Sequence, residues 1–254
     1  MPRRYGQHFL KDVGIVQRIV EESGVGPADT VLEIGPGQGI LTQELAQKVK
    51  KVVAIEIDRN LATELKAKTW PVPVEIHQGN ILEFDESELK NLVGGTYKIV
   101  TNLPYEITSE VLKKFLVGKH RPVSMTMMIQ KEVGERIVVQ GGKWSRLAVF
   151  CGYHALTKML FSVSPSAFNP PPHVDSCVIQ LDLRPEPLLE PAQERLLFRL
   201  TEAAYAEKRK TLANSLRPVL GPDAAVKLRA LGQDPQERPE KIPLAKWLFL
   251  AGRL

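Results

Sequence analysis

Hydrophobic and polar positions change period repeatedly along the first two thirds of this chain. Ile15, Val16, Ile19 and Val20 fall on one helical face, Asp12 stands where a cap belongs, and Gly24, Gly26 and Pro27 end the pattern. Thr30-Val31-Leu32-Glu33-Ile34 then reads as a buried strand that runs into Gly35-Pro36-Gly37-Gln38-Gly39. The pattern continues with a helix over 40–48, a strand over 52–57, a helix over 59–68, and strands over 74–77 and 97–101. It also predicts a helix over 108–115 and a strand over 124–130.

Strands alternating with helices of this length predict an α/β fold, a doubly wound parallel sheet covered on both faces. Ligands in such sheets bind at the carboxyl ends of the strands. Residues 157–163 and 174–183 resemble two further strands joined by a Pro-rich loop, an antiparallel addition to the sheet. Composition shifts at Arg184-Pro185-Glu186-Pro187, after which only helical patterns remain: 193–207, 212–216, 224–231 and 244–251. Pro218, Pro222, Pro235, Pro239 and Pro243 punctuate them. The predicted division is a sheet domain over 1–184 and a small all-helical domain over 185–254.

Composition adds boundaries to this picture. A hydrophobic share of 43% and a charged share of 25% exclude wholesale disorder over the 254 residues. Aromatic residues are 6%, too few for broad stacking platforms along a single strand. The net charge of +5 suits a polyanionic partner, although many basic proteins bind none. Cys151 and Cys177 lie far apart without ligand spacing, so neither a disulfide framework nor a structural metal is expected. No apolar run reaches the roughly 18–20 residues of a membrane span, and the N-terminus has no leader-like apolar stretch; the cytoplasm is the expected compartment.

Four strand ends carry candidate chemistry. The glycine turn at Gly35, Gly37 and Gly39 is spaced G-x-G-x-G, not the G-x-G-x-x-G of dinucleotide sites. The shorter form suits an uncharged or cationic nucleoside such as S-adenosylmethionine, and a plain tight turn is the bland alternative. Glu56 ends the next strand, twenty-one positions after Gly35, where a carboxylate can grip both ribose hydroxyls. Its alternative is a solvated carboxylate. Asn80 and Ile81 follow the third strand; the Asn80 oxygen and the Ile81 N–H could meet an adenine edge, or simply form a turn. Asn102-Leu103-Pro104-Tyr105 follows the fourth. The Asn102 side-chain oxygen and the Leu103 carbonyl could hold both hydrogens of a nucleobase amine, drawing it towards tetrahedral geometry and freeing its lone pair. Pro104 fixes the turn, and Tyr105 can stack on an extruded base.

Taken together, these pieces resemble the ribosomal RNA adenine N6,N6-dimethyltransferases, specifically the bacterial small-subunit (16S) branch. The resemblance extends through Tyr5-Gly6-Gln7-His8-Phe9-Leu10, Gln130-Lys131-Glu132-Val133, the segment from Pro165 to Ser176, and Lys208-Arg209-Lys210-Thr211. It implies a Rossmann-like class I methyltransferase sheet that uses S-adenosyl-L-methionine. His8 and Leu10 would close over its methionine end, Gly35 would line it, Glu56 would hold the ribose and Asn80 the adenine. Asn102 would touch both cofactor and amine, and Phe168 would stand beside the target base with Tyr105. Many members carry Asp where this chain has Asn80. The implied activity is dimethylation of two adjacent adenosines near the 3′ end of 16S rRNA, in the small ribosomal subunit or its precursor, by a monomer. Alternatives are an erythromycin-resistance-type 23S rRNA methylase, which shares the core, and an assembly checkpoint whose main role is binding. A protein-glutamine methyltransferase and a nicotinamide dehydrogenase fit the motifs less well.

Between Leu112 and Arg146 eight basic residues face only Glu132 and Glu135. They make Lys131, Arg136 and Arg146 candidates for phosphate contact, and Arg3, Arg4, Lys208, Arg209 and Lys210 join them. For any single lysine a solvated helix face is the simpler reading. Lys208 to Lys210 are consecutive, so one helix face could not hold all three. No metal is expected, because displacement at an activated methyl depends on positioning.

Overall fold

The computed structural model describes residues 8–207 and 209–254. In chain order the elements are β1 (Phe9–Leu10), α1 (Val13–Glu22), β2 (Thr30–Ile34), α2 (Ile40–Ala46), β3 (Lys51–Glu56), α3 (Arg59–Lys66) and β4 (Val74–Gln78). There follow α4 (Glu86–Val93), β5 (Lys98–Asn102), α5 (Thr108–Val117), β6 (Ser124–Gln130), α6 (Lys131–Ile137) and α7 (Arg146–His154). The rest are β7 (Ala155–Val163), β8 (Phe168–Asn169), β9 (Ser176–Leu183), α8 (Pro191–Tyr205), α9 (Leu212–Leu220), α10 (Ala224–Ala230) and α11 (Leu244–Arg253).

Seven strands form one sheet in the order β4-β3-β2-β5-β6-β9-β7. The pairs β2–β3, β3–β4, β2–β5 and β5–β6 are parallel, whereas β6–β9 is antiparallel. This is a mixed, Rossmann-like sheet. Strand order reverses between β2 and β5, which opens a crevice at their carboxyl ends. Burial explains the strand sequences. Val31, Leu32, Val52, Val53 and Ile99 have no exposed surface, as expected of parallel strands covered on both faces. Helix α1 starts where Asp12 accepts the Ile15 N–H at 3.1 Å, and it buries Val16, Ile19 and Val20.

The chain divides into two compact units. The first runs through Gly134 and includes Leu156–Leu183; the second holds Glu135–Ala155 and Arg184–Leu254. A single boundary at 184/185 therefore misplaces residues 135–155. The segment contains α7, whose Val149 and Tyr153 are buried with Leu197, Leu212, Leu216 and Trp247 of the helical unit. A cut read from composition cannot see an excursion of this kind. Three helices were not predicted. For α4 the signal was present: Asp85 and Glu88 form a capping box. Helix α9 continues past the predicted stop at Pro218 to Leu220, with the proline in its last turn. No described helix is long and apolar enough to cross a membrane.

Candidate active site

The turn after β2 is built by extending the sheet. The Gly35 N–H donates to the Ile55 carbonyl at 2.9 Å, and the Thr101 hydroxyl donates to the Ile34 carbonyl at 2.6 Å. The backbone then turns left-handed at Gly35 (φ 67°) and Gly37 (φ 58°), conformations that favour glycine. A Cβ on Gly37 would stand 3.2 Å from the Phe9 ring. Strand β1 thus lays Phe9 over the turn.

Glu56 closes β3 with 2% of its surface exposed. One carboxylate oxygen accepts the Gly37 N–H and the other the Asp58 N–H, both at 2.9 Å. This supplies a physical reason why the short glycine turn suits a nucleoside better than a pyrophosphate. A backbone donor that an anion would need is already given to a carboxylate. Behind it lies Glu33, 1% exposed, whose carboxylate accepts the Thr42 hydroxyl at 2.7 Å. Burial pushes the Glu33 pKa up to about 8, against the pull of the Thr42 hydroxyl and with help from the Glu56 charge.

Asn102 ends β5 opposite Met128 of β6, and the next N–H, that of Leu103, donates to the Met128 carbonyl at 3.1 Å. The chain leaves the sheet only at Pro104 (φ −55°, ψ 129°), which opens a short 3-10 turn over Tyr105–Ile107. Among the described residues the Asn102 amide has no hydrogen-bond partner. The Tyr105 hydroxyl and the Ser176 hydroxyl share a hydrogen bond at 2.6 Å. Burial pushes the Tyr105 phenol above its usual pKa, against the pull of that bond.

One cavity of about 440 Å³ brings these strand ends together. His8, Gly35, Gly37, Glu56, Asn80, Ile81, Asn102, Leu103, Pro104, Tyr105 and Phe168 all line it. A Cβ on Gly35 would point at the Pro104 ring from 3.6 Å, so the glycine turn and the Asn102–Tyr105 turn face each other directly. His8 is anchored through Nδ1–H to the Pro170 carbonyl at 2.8 Å. The cavity's size and its pairing of a buried carboxylate with an unpartnered amide fit an adenosine-bearing cofactor.

Some predicted placements change. Leu10 and Gly39 do not line the cavity. Leu10 is buried in the core beside Ala167 and Phe168, because alternation along β1 sends Phe9 to the site and Leu10 inward. Gly39 caps α2 with φ 82°, a left-handed conformation that favours glycine, and a Cβ there would also press on the Leu65 side chain, so its requirement is conformational. Phe168 is only 2% exposed and forms a buried wall, not an open stacking face. The Asn80 oxygen accepts the Leu82 N–H at 3.1 Å and its amide donates to Glu83, which leaves one lone pair for a ligand. Phe9, Ile57, Glu106 and Gln130 line the cavity and were not singled out as site residues. For Phe9 and Ile57, adjacency to His8 and Glu56 was the available signal.

The basic candidates are scattered. Lys131 pairs with Asp175 at 3.6 Å, Arg146 with Glu202 at 3.1 Å, and Lys210 with Glu207 at 2.7 Å. All six side chains are at least 38% exposed, so these ion pairs hold them weakly and leave them able to exchange for phosphate. Arg136 and Arg209 are exposed. Lys131 belongs to the first unit, while Arg136 and Arg146 belong to the second, so the 112–146 run is not one patch of a single unit. Arg209 and Lys210 stand in the connection before α9, not on a helix. Arg3, Arg4 and Lys208 lie outside the described residues.

Fold and site together define a methyltransferase of the Rossmann-like class. The chain matches the family model for ribosomal RNA adenine dimethylase over residues 1–252, and it belongs to that family. It is 40% identical to "Ribosomal RNA small subunit methyltransferase A" of Caldanaerobacter subterraneus, covering 99% of this chain and 96% of the relative. The protein of the same name from Pseudomonas aeruginosa is 38% identical over 99% and 94%. Among solved structures, the 23S rRNA methyltransferase ErmE superposes with a TM-score of 0.80 at 29% identity, covering 97% of this chain and 99% of that one. A dimethyladenosine transferase from Plasmodium falciparum gives 0.79 at 25%, over 96% of each.

Proposed function

We propose that this chain dimethylates N6 of two adjacent adenosines near the 3′ end of 16S rRNA, in the small ribosomal subunit or its precursor, with S-adenosylmethionine as donor. The observation that carries the proposal is the single cavity shared by the glycine turn, Glu56 and the Asn102–Tyr105 turn. The small-subunit branch is favoured by the 38–40% identity to relatives of that name, against 29% to the 23S enzyme. The proposed compartment is the cytoplasm and the proposed state a monomer.

Glu56, Asn80 and the backbone of Gly35 and Gly37 would hold the cofactor's adenosine, with His8 and Phe9 over its other end. The cofactor supplies a methyl group already activated on a positively charged sulfur. The chain's own work is positioning. The Asn102 oxygen and the Leu103 carbonyl accept the two N6 hydrogens, turning the nitrogen lone pair out of the ring. Pro104 keeps that pair of acceptors in register, and Tyr105 holds the extruded base by its face. Displacement at the methyl carbon would exchange its bond to sulfur, whose electron pair stays on the sulfur as a neutral thioether, for a bond to the nitrogen, which would then shed a proton to water. Arg136, Arg146, Arg209, Lys210 and Lys131 would engage phosphates, which position the enzyme without selecting the base.

Mass mapping of ribosomal RNA after incubation with purified protein and labelled cofactor tests the reading. Dimethyladenosine at two neighbouring positions of 16S rRNA is expected. Label confined to 23S rRNA would move the chain to the other branch, and tight subunit binding without label would make it a checkpoint alone.

A further inference from the structure

We infer that Ser176 is a positioning residue that tethers the Tyr105 ring, so that the face offered to the target base is set before the base arrives. The inference rests on the proposed role of Tyr105. Two anchors fix that side chain. At its root, Tyr105 opens a 3-10 turn held by the Ile107 N–H on the Pro104 carbonyl (3.3 Å) and the Thr108 hydroxyl on the Tyr105 carbonyl (3.1 Å). At its tip, the phenol oxygen meets Ser176 Oγ at 2.6 Å.

Ser176 is itself a fixed point. It has no exposed surface and begins β9, directly opposite Gln130 of β6 in an antiparallel ladder that continues to Asp182. The Lys131 N–H donates to the neighbouring Asp175 carbonyl at 3.0 Å, extending the pairing one step further. Gln130, the ladder partner of Ser176, lines the cavity with Tyr105. The antiparallel strand thus does more than widen the sheet: it brings a buried hydroxyl to the tip of the Tyr105 ring. A tyrosine ring anchored only at Cα would turn about both side-chain torsions, and each encounter with a base would then carry the cost of ordering the ring. The tether meets that cost during folding.

Four variants test this: Tyr105→Ala, Tyr105→Phe, Ser176→Ala and the Tyr105→Phe/Ser176→Ala double. The readouts are methyl-transfer rate on undermethylated small subunits and the Kd for S-adenosylmethionine by calorimetry. Tyr105→Phe and Ser176→Ala should each lower the rate at saturating cofactor about five- to tenfold, the worth of one neutral hydrogen bond, with Kd unchanged. The double variant should fall no further than either single, because both remove the same bond. Either single at the wild-type rate, or losses that multiply in the double, would overturn the tether. Should Ser176→Ala not fold, Tyr105→Phe decides alone, since it removes the bond while keeping ring and serine. Tyr105→Ala separates the layers. An inactive Tyr105→Ala beside unaffected tether variants sinks only the tether, whereas a fully active Tyr105→Ala sinks the stacking role beneath it.

Discussion

The two sides of the cavity are finished to different degrees. On the glycine-turn side, both Glu56 oxygens already hold backbone N–H groups, and Thr42 satisfies Glu33 behind them. On the facing side, β5 fixes where Asn102 stands, yet its amide meets no described partner. The first surface is preorganised by its own hydrogen bonds. A carboxylate has about four acceptor sites, so Glu56 can take ribose hydroxyls without releasing the turn. The second surface presents to the cavity an amide that no described residue engages. On the proposed function the difference separates holding from reacting: one side would bind with groups it has already ordered, and the other would reserve a group for the moment of transfer.

The largest expected effect comes from removing the reserved group. Asn102→Ala should lower single-turnover methyl transfer by about 10²–10³-fold, the usual loss for one preorganised polar contact in a transition state. Cofactor binding should remain measurable by calorimetry. Next is Glu56→Ala, which should weaken cofactor affinity by about 10–100-fold, as expected for hydrogen bonds to a charged acceptor. Its rate at saturating cofactor should suffer less than that of Asn102→Ala. Equal damage to the saturated rate in both variants would erase the distinction between the two sides.

How far the sequence revealed this arrangement depends on how local each signal is. Strand β6 is predicted with the bounds it has, and β2 likewise, because buried parallel strands are short apolar runs closed by polar residues. Glu56 and Asn102 are legible because each ends such a run. The Glu56–Gly37 contact is not, since it joins positions nineteen residues apart through loop geometry. The Ser176 contact is further from reach, at a separation of seventy-one. Leu10 faces inward through one step of strand alternation, a period that a two-residue strand cannot display in the sequence. The grouping of 135–155 with the helical unit depends on packing partners such as Trp247 about a hundred residues away.

A third and smaller effect probes the ordered side. The Glu33 pKa rises from 4.5 to about 8 in the folded chain, so between those values the folded state keeps a proton that the unfolded state has lost. Stability from this group is therefore full below about pH 4.5 and drains away as pH rises towards 8. Thermal unfolding across pH 5–7 should show the wild type losing about 1 kcal/mol per pH unit relative to Glu33→Gln. Parallel curves would mean that Glu33 is ionised in place and that this side carries two charges, not one.

The smallest effect concerns Asn80, where two electrostatic contributions oppose each other. Asn80→Asp would offer the adenine amine a charged acceptor, and charge-assisted hydrogen bonds are about twice as strong as neutral ones. It would also remove the donor that now reaches Glu83 at 3.1 Å and place two carboxylates together in its stead. Glu83 is exposed, so solvent limits that repulsion to about 0.2–0.5 kcal/mol. Cofactor affinity should rise no more than about threefold in Asn80→Asp, less than one neutral hydrogen bond is worth. The Asn80→Asp/Glu83→Gln double should gain more than the single. Calorimetric titration of the three proteins decides it: if relieving the repulsion adds nothing, Asn80 does not meet the adenine, and the ordered side ends at Glu56.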